Sequence, residues 1–125
     1  MRSGWAICCS VLMALMVSGC AAEQPAPVGD AVGGSLADVT SSAPDAGFLI
    51  QDASTRVGLS ASFSLGTSSP DEWTVVAACA DSEDLHEARN VEVAILPATS
   101  YPEVAGRVAA GEFRDLVSCD GLDHR

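Results

Sequence analysis

The sequence predicts a small, mostly β domain, with α+β as the alternative. The expected form is a small antiparallel sheet or compact sandwich-like domain with one short helix and one disulfide. Three observations predict it. Val57, Leu59, Ala61, Phe63 and Leu65 alternate with Gly58, Ser60, Ser62 and Ser64, the period of two that gives a strand one buried and one wet face. Trp73–Ala80 and Val91–Pro97 are apolar runs of strand length, each bounded by turn-forming residues. Cys79 and Cys119 are the two cysteines left for the domain once the start of the chain is accounted for.

The chain opens with Arg2 and an apolar run, Trp5 to Val17, interrupted only by Ser10. That run is shorter than the roughly 20 residues of a membrane span and has the layout of a secretory signal. It closes on Val17-Ser18-Gly19-Cys20: an aliphatic residue, two small ones and a cysteine. This pattern resembles the lipobox of bacterial lipoprotein precursors. The resemblance implies that residues 1–19 are a removed signal peptide and that Cys20 becomes the first residue. It also implies a diacylglyceryl group on the Cys20 thiol, holding the protein at the cell membrane and facing outside the cytoplasm. Two acyl chains anchor stably where one binds reversibly.

Residues 20–46 then read as the lipidated cysteine and a flexible tether rich in Ala, Gly, Pro, Ser and Asp. Val28, Val32, Leu36 and Val39 have a faintly helical spacing, against which stand Gly29, Gly33 and Gly34. Residues 47–125 are expected to form the folded domain. "GFLIQ", starting at Gly47, reads as an edge strand, and the alternating run above as the strand after it. "GTSSPDE" is a turn cluster with Pro70 as breaker. In Trp73–Ala80 the expected common face is Trp73, Val75, Ala77 and Cys79, which places Trp73 in the core beside the disulfide. Asp81 or Ser82 caps a short helical turn, with Leu85 and Ala88 inward. Val91, Val93 and Ile95 share a face of the next strand. "YPEVAGRVAAG" is a short helix, with Pro102 at its start and Gly111 past its end. Phe113, Val117 and Cys119 are expected on one face of a last strand.

Charge excludes one class of function. The chain has 17 acids against six basic residues, all of them Arg, for a net −11. Nucleic-acid binding needs a basic patch, and the sign here is opposite, so no nucleic-acid partner is expected. The same excess gives no electrostatic hold on anionic lipid, so the membrane partner is reached through acylated Cys20 alone. Cysteine arithmetic follows the compartment. Cys8 and Cys9 leave with the signal and Cys20 takes the lipid, leaving Cys79 and Cys119 to pair in an oxidising environment.

Chemistry-bearing patterns are sparse. "GLSAS" at Gly58 lacks the final glycine of a nucleophile elbow. His86 stands alone beside Glu83 and Glu87 and reads as surface. Asp81, Glu83, Asp84 and Glu87 form an acidic loop that is the candidate divalent-cation site, without EF-hand spacing or its glycine. No cofactor is expected, and no catalytic set is expected either. The function expected is a non-enzymatic, membrane-anchored module that binds another exported protein or a wall component. The alternative is a small-ligand or divalent-cation-binding lipoprotein, with an enzyme third.

Overall fold

The computed structural model describes residues 24–119. Its centre is a three-stranded sheet of β1 (Gly47–Asp52), β2 (Trp73–Ala80) and β3 (Asn90–Pro97), in the order β1-β3-β2. Helix α1 (Leu36–Ser42) precedes the sheet in sequence and α2 (Tyr101–Ala109) follows it. The protein is therefore a small α+β domain, and Cys79 and Cys119 are bridged. β2 and β3 make an antiparallel pair, but β1 runs parallel to β3, from Gly47 opposite Asn90 to Asp52 opposite Ile95. The sheet is mixed rather than antiparallel. β3 can take the centre because Val91, Val93, Ala94, Ile95 and Leu96 are apolar toward both faces.

A bulge in β2 decides which face each residue serves. Val75 pairs with Ile95 and Ala77 with Ala94, so Val76 has no partner on β3. The extra residue reverses the alternation beyond it. Trp73 and Val75 point to the α1 side with Ala78 and Ala80, whereas Val76, Ala77 and Cys79 point to the α2 side. This corrects the expected common face. Trp73 is buried, but on the side of the sheet away from Cys79, and it packs edge-on against Phe63 with ring centroids 5.2 Å apart.

Residues 27–46 do not form a tether. Val28, Leu36 and Val39 are almost fully buried against Trp73, Val75 and Val93. Ser35 caps α1, its Oγ accepting the Asp38 N–H at 3.0 Å. The glycines that argued against a helix lie before it, where the chain turns: Gly33 has φ of +93°. Its N–H donates to the Val75 carbonyl at 2.8 Å, and the Val75 N–H donates to the Gly34 carbonyl at 2.9 Å. This segment covers the outer edge of β2, whose backbone N–H and C=O groups would otherwise stay open to pairing.

The alternating run is not a strand either. It lies in the long connection between β1 and β2, where Ser54–Val57 forms a 3-10 turn that ends at Gly58. Leu59 and Leu65 are exposed, and only Phe63 and Val57 of its apolar residues are half-buried. Period two alone does not make a strand; a ladder partner is also required, and β3 already has both its neighbours. At the other end, Phe113, Val117 and Cys119 are buried together as expected, but around a 3-10 turn at Arg114–Leu116. The spacing of four between Phe113 and Val117 suits a helical turn better than a strand. The cluster they form with Val104 and Val108 of α2 covers Ala94 and Leu96.

The disulfide closes 40 residues of chain, with Cα atoms 6.1 Å apart, and ties the end of β2 to this C-terminal turn. Loop-closure entropy for that length corresponds to about 4 kcal/mol. Reduction is therefore expected to lower the urea midpoint by an amount equivalent to about 4 kcal/mol, and alkylation of both thiols to make the loss permanent. An unchanged midpoint after complete reduction would contradict this account.

Candidate functional site

Phe48 and Ile50 of β1 pack toward the α1 side, so Leu49 between them points to the α2 side. The C-terminal turn does not reach that far, and Leu49 is 58% exposed. Here, where β1 and β3 begin, a cleft of about 370 Å³ opens. Its walls are Phe48 and Leu49 from β1, Asn90, Val91 and Glu92 from β3, and Cys119 from the bridge. Leu49 and Glu92 face each other in the parallel register.

Among the described residues that line the cleft, Glu92 is the one ionisable group, because Cys119 is spent in the disulfide. Its Oε2 accepts the Cys119 N–H at 2.5 Å. Cys119 itself sits in the left-handed region at φ of +48°, a conformation that a non-glycine residue adopts only where its surroundings enforce it. The bridge to Cys79 and the bond to Glu92 are those enforcing contacts. The arrangement offers an apolar floor with a carboxylate at one side. It suits an apolar group that ends in a cation or an N–H donor.

Cys79, Glu92 and Cys119 also form the grouping of three metal-ligating atoms found among the described residues, all within 4.8 Å of one another. With both sulfurs bonded to each other, thiolate ligation is closed to them.

The acidic loop serves structure instead. Asp81 accepts the Arg89 N–H at 2.9 Å and the Asn90 side-chain amide at 3.0 Å. These bonds, the Arg89 one foremost, hold its carboxyl below the ordinary value. Asp84 accepts the N–H of Ala26 at 3.1 Å and of His86 at 3.0 Å, and these two bonds likewise lower its pKa. Asp81, Glu83, Asp84 and Glu87 do not converge as a ligand set among the described residues. His86 lies half-buried, its Nδ1 3.5 Å from Asp84. Cys20 lies outside the described residues.

Two carboxylates escaped notice in the sequence. Glu92 was hidden as one polar residue in an apolar strand. Asp52 carried a readable signal, the Asp-x-Ser pattern of an Asx turn with Ser54. Its Oδ1 accepts the Ser54 N–H at 2.9 Å and the Ser54 hydroxyl. Its Oδ2 accepts the N–H groups of Ser62 and Phe63 at 2.7 and 2.9 Å, folding the long connection back onto the end of β1. Partial burial pushes the Asp52 carboxyl up, but these hydrogen bonds outweigh it and the net shift is downward.

Set against known proteins, the chain matches no protein family, no curated protein and no solved structure. No helix among the described residues is long and apolar enough to cross a membrane.

Asp52, Asp81 and Asp84 all have folded pKa values below those of the unfolded chain. Each therefore contributes stability that is present above the unfolded value of about 3.9 and is lost as pH falls through the folded value. The urea midpoint is expected to drop as pH is lowered from about 4, and a midpoint that rises there would refute the assignment. Asp52→Asn sets an amide N–H₂ against two N–H donors. It is expected to cost about 2 kcal/mol and to speed amide exchange at Ser62 and Phe63.

Proposed function

We propose that this protein is a lipid-anchored, non-enzymatic binding module that works close to the outer face of the cell membrane. The observation that carries the proposal is the distance between two points in the chain. Cys20 ends the lipobox pattern, and Ala26 already donates its N–H to Asp84. Fully extended, the chain from Cys20 to Ala26 spans about 20 Å. An acylated Cys20 would thus hold the domain against the membrane rather than at the end of a long leash. Without Arg2, which leaves with the signal, the chain has 17 acids and five Arg, a net −12; it is repelled by anionic headgroups, which favours an upright attachment through the acyl chains alone.

The same end of the sheet supports a binding role. The cleft lies where β1 and β3 begin, and the loop that holds Ala26 joins β2 to β3 at that end. A partner reached there would itself be exported and close to the membrane. An apolar floor with a carboxylate at its side suits recognition of an apolar group that carries a cation or an N–H donor.

Cys20→Ala is expected to leave an unlipidated precursor, which intact mass reports directly; a lipid adduct on that variant would end the lipoprotein reading. For partner binding, the chain has no lysine, so a photo-crosslinking residue replaces exposed Gln51 on β1. Cross-links to one exported protein are expected from position 51 and not from exposed Glu103 on α2. Equal yields from both positions would sink the binding proposal.

A further inference from the structure

The two edges of the sheet are treated differently. Residues 33–35 cover the β2 edge, and no described residue pairs with the outer side of β1. The Gly47 N–H donates to the Arg89 carbonyl and the Ala53 N–H to the Ile95 carbonyl. Odd-numbered residues of this stretch therefore turn their backbone toward β3, and Phe48 and Ile50 turn theirs outward. Exposed edges are commonly blunted by lysine, proline, a bulge or very short length. β1 carries none of the first three and runs for six residues, with Leu49 58% exposed.

We propose that β1 is a strand-addition site for an extended segment of an exported partner protein, apolar in alternate positions and bearing a cationic residue. This proposal rests on the binding role above and names its partner. The backbone of the segment would pair with Phe48 and Ile50. Its apolar side chains would cover Leu49 and enter the cleft beside Cys119, and a cation on that same face, an even number of residues along, would meet Glu92. Charge selects the occupant. A second processed copy would bring another net −12 to the same edge, and a second Glu92 carboxylate beside the first. A cationic segment finds complementary charge over the whole domain.

The test uses the full-length protein, extracted from membranes in an uncharged detergent. The probe is a capped hexapeptide with valine at positions two and six, lysine at position four and threonine elsewhere, so that valine and lysine share one face. Binding is followed by fluorescence anisotropy, and the site by amide hydrogen exchange. Exchange at Phe48 and Ile50 is expected to slow at least tenfold on binding. The same peptide methylated on every backbone nitrogen keeps its charge and apolar groups but cannot add a strand; it is expected to bind at least tenfold more weakly. The same peptide with glutamate in place of the lysine at position four is expected to bind at least tenfold more weakly. Glu92→Gln keeps an acceptor for the Cys119 N–H and is expected to weaken lysine-peptide binding at least threefold at low salt.

Equal binding of the methylated peptide would overturn the proposal by showing that charge alone is responsible. So would binding without protection at Phe48 and Ile50. A dimer by sedimentation that the peptide dissociates would assign the edge to a second copy instead. Intact mass of the same sample reports the lipid on Cys20 independently, so failure of the anchor and failure of the edge are told apart.

Discussion

Every residue of Trp73–Ala80 is buried, and that one strand constrains the rest of the molecule. A strand at the end of a three-stranded sheet normally has one face, or at least its outer edge, in water. β2 has neither. Its apolar side chains demand a cover on each side, and its free edge demands backbone partners. The bulge at Val76 divides the strand between the two covers, sending Trp73 and Val75 one way and Cys79 the other. Residues 28–43 supply one cover together with the edge, and α2 with the C-terminal turn supplies the other. A chain with so few large side chains, only three Phe, two Trp and one Tyr, needs both covers to exclude water from the sheet.

The polar side chains finish this arrangement. Three aspartates act as acceptors for backbone N–H groups that no ladder or helix satisfies: Asp52 for the long connection, Asp81 for the start of β3, Asp84 for the entry of the chain at Ala26. Carboxylates suit this use because a charged acceptor forms stronger bonds than a neutral one and can take several donors. Much of the acidity that could suggest a cation site is therefore consumed in holding loops. Arg56 with Asp115, and Arg107 with Glu112, add exposed ion pairs of small individual worth.

What the covers leave open defines the surface available for function. Among the described residues, the α2-side cover leaves an exposed apolar floor at the first residues of β1 and β3, and none of them pairs with the outer edge of β1. The disulfide and Glu92 fix Cys119 at the border of that opening. Rigid walls matter for recognition, because a preformed site loses less conformational entropy on binding than one that must order itself.

The sequence by itself determined the α+β class as its alternative, strands at "GFLIQ" from Gly47, at Trp73–Ala80 and at Val91–Pro97, the helix at Tyr101, and the Cys79–Cys119 bridge. Each rests on local information: run length, breakers such as Pro97, a proline at a helix start, or the count of cysteines. Only the tertiary structure decided the parallel placement of β1, the burial of Val28, Leu36 and Val39, and the irregular path of Val57–Leu65. Those outcomes depend on competition for the two sides of β3 and for the edge of β2, which no local pattern records. The bulge at Val76 was equally hidden, since "VVAA" can carry either parity until a partner strand sets the register. Leu49 and Glu92 illustrate the same limit: they are unremarkable in their runs and become a site only because β1 and β3 lie side by side with Cys119 at their border.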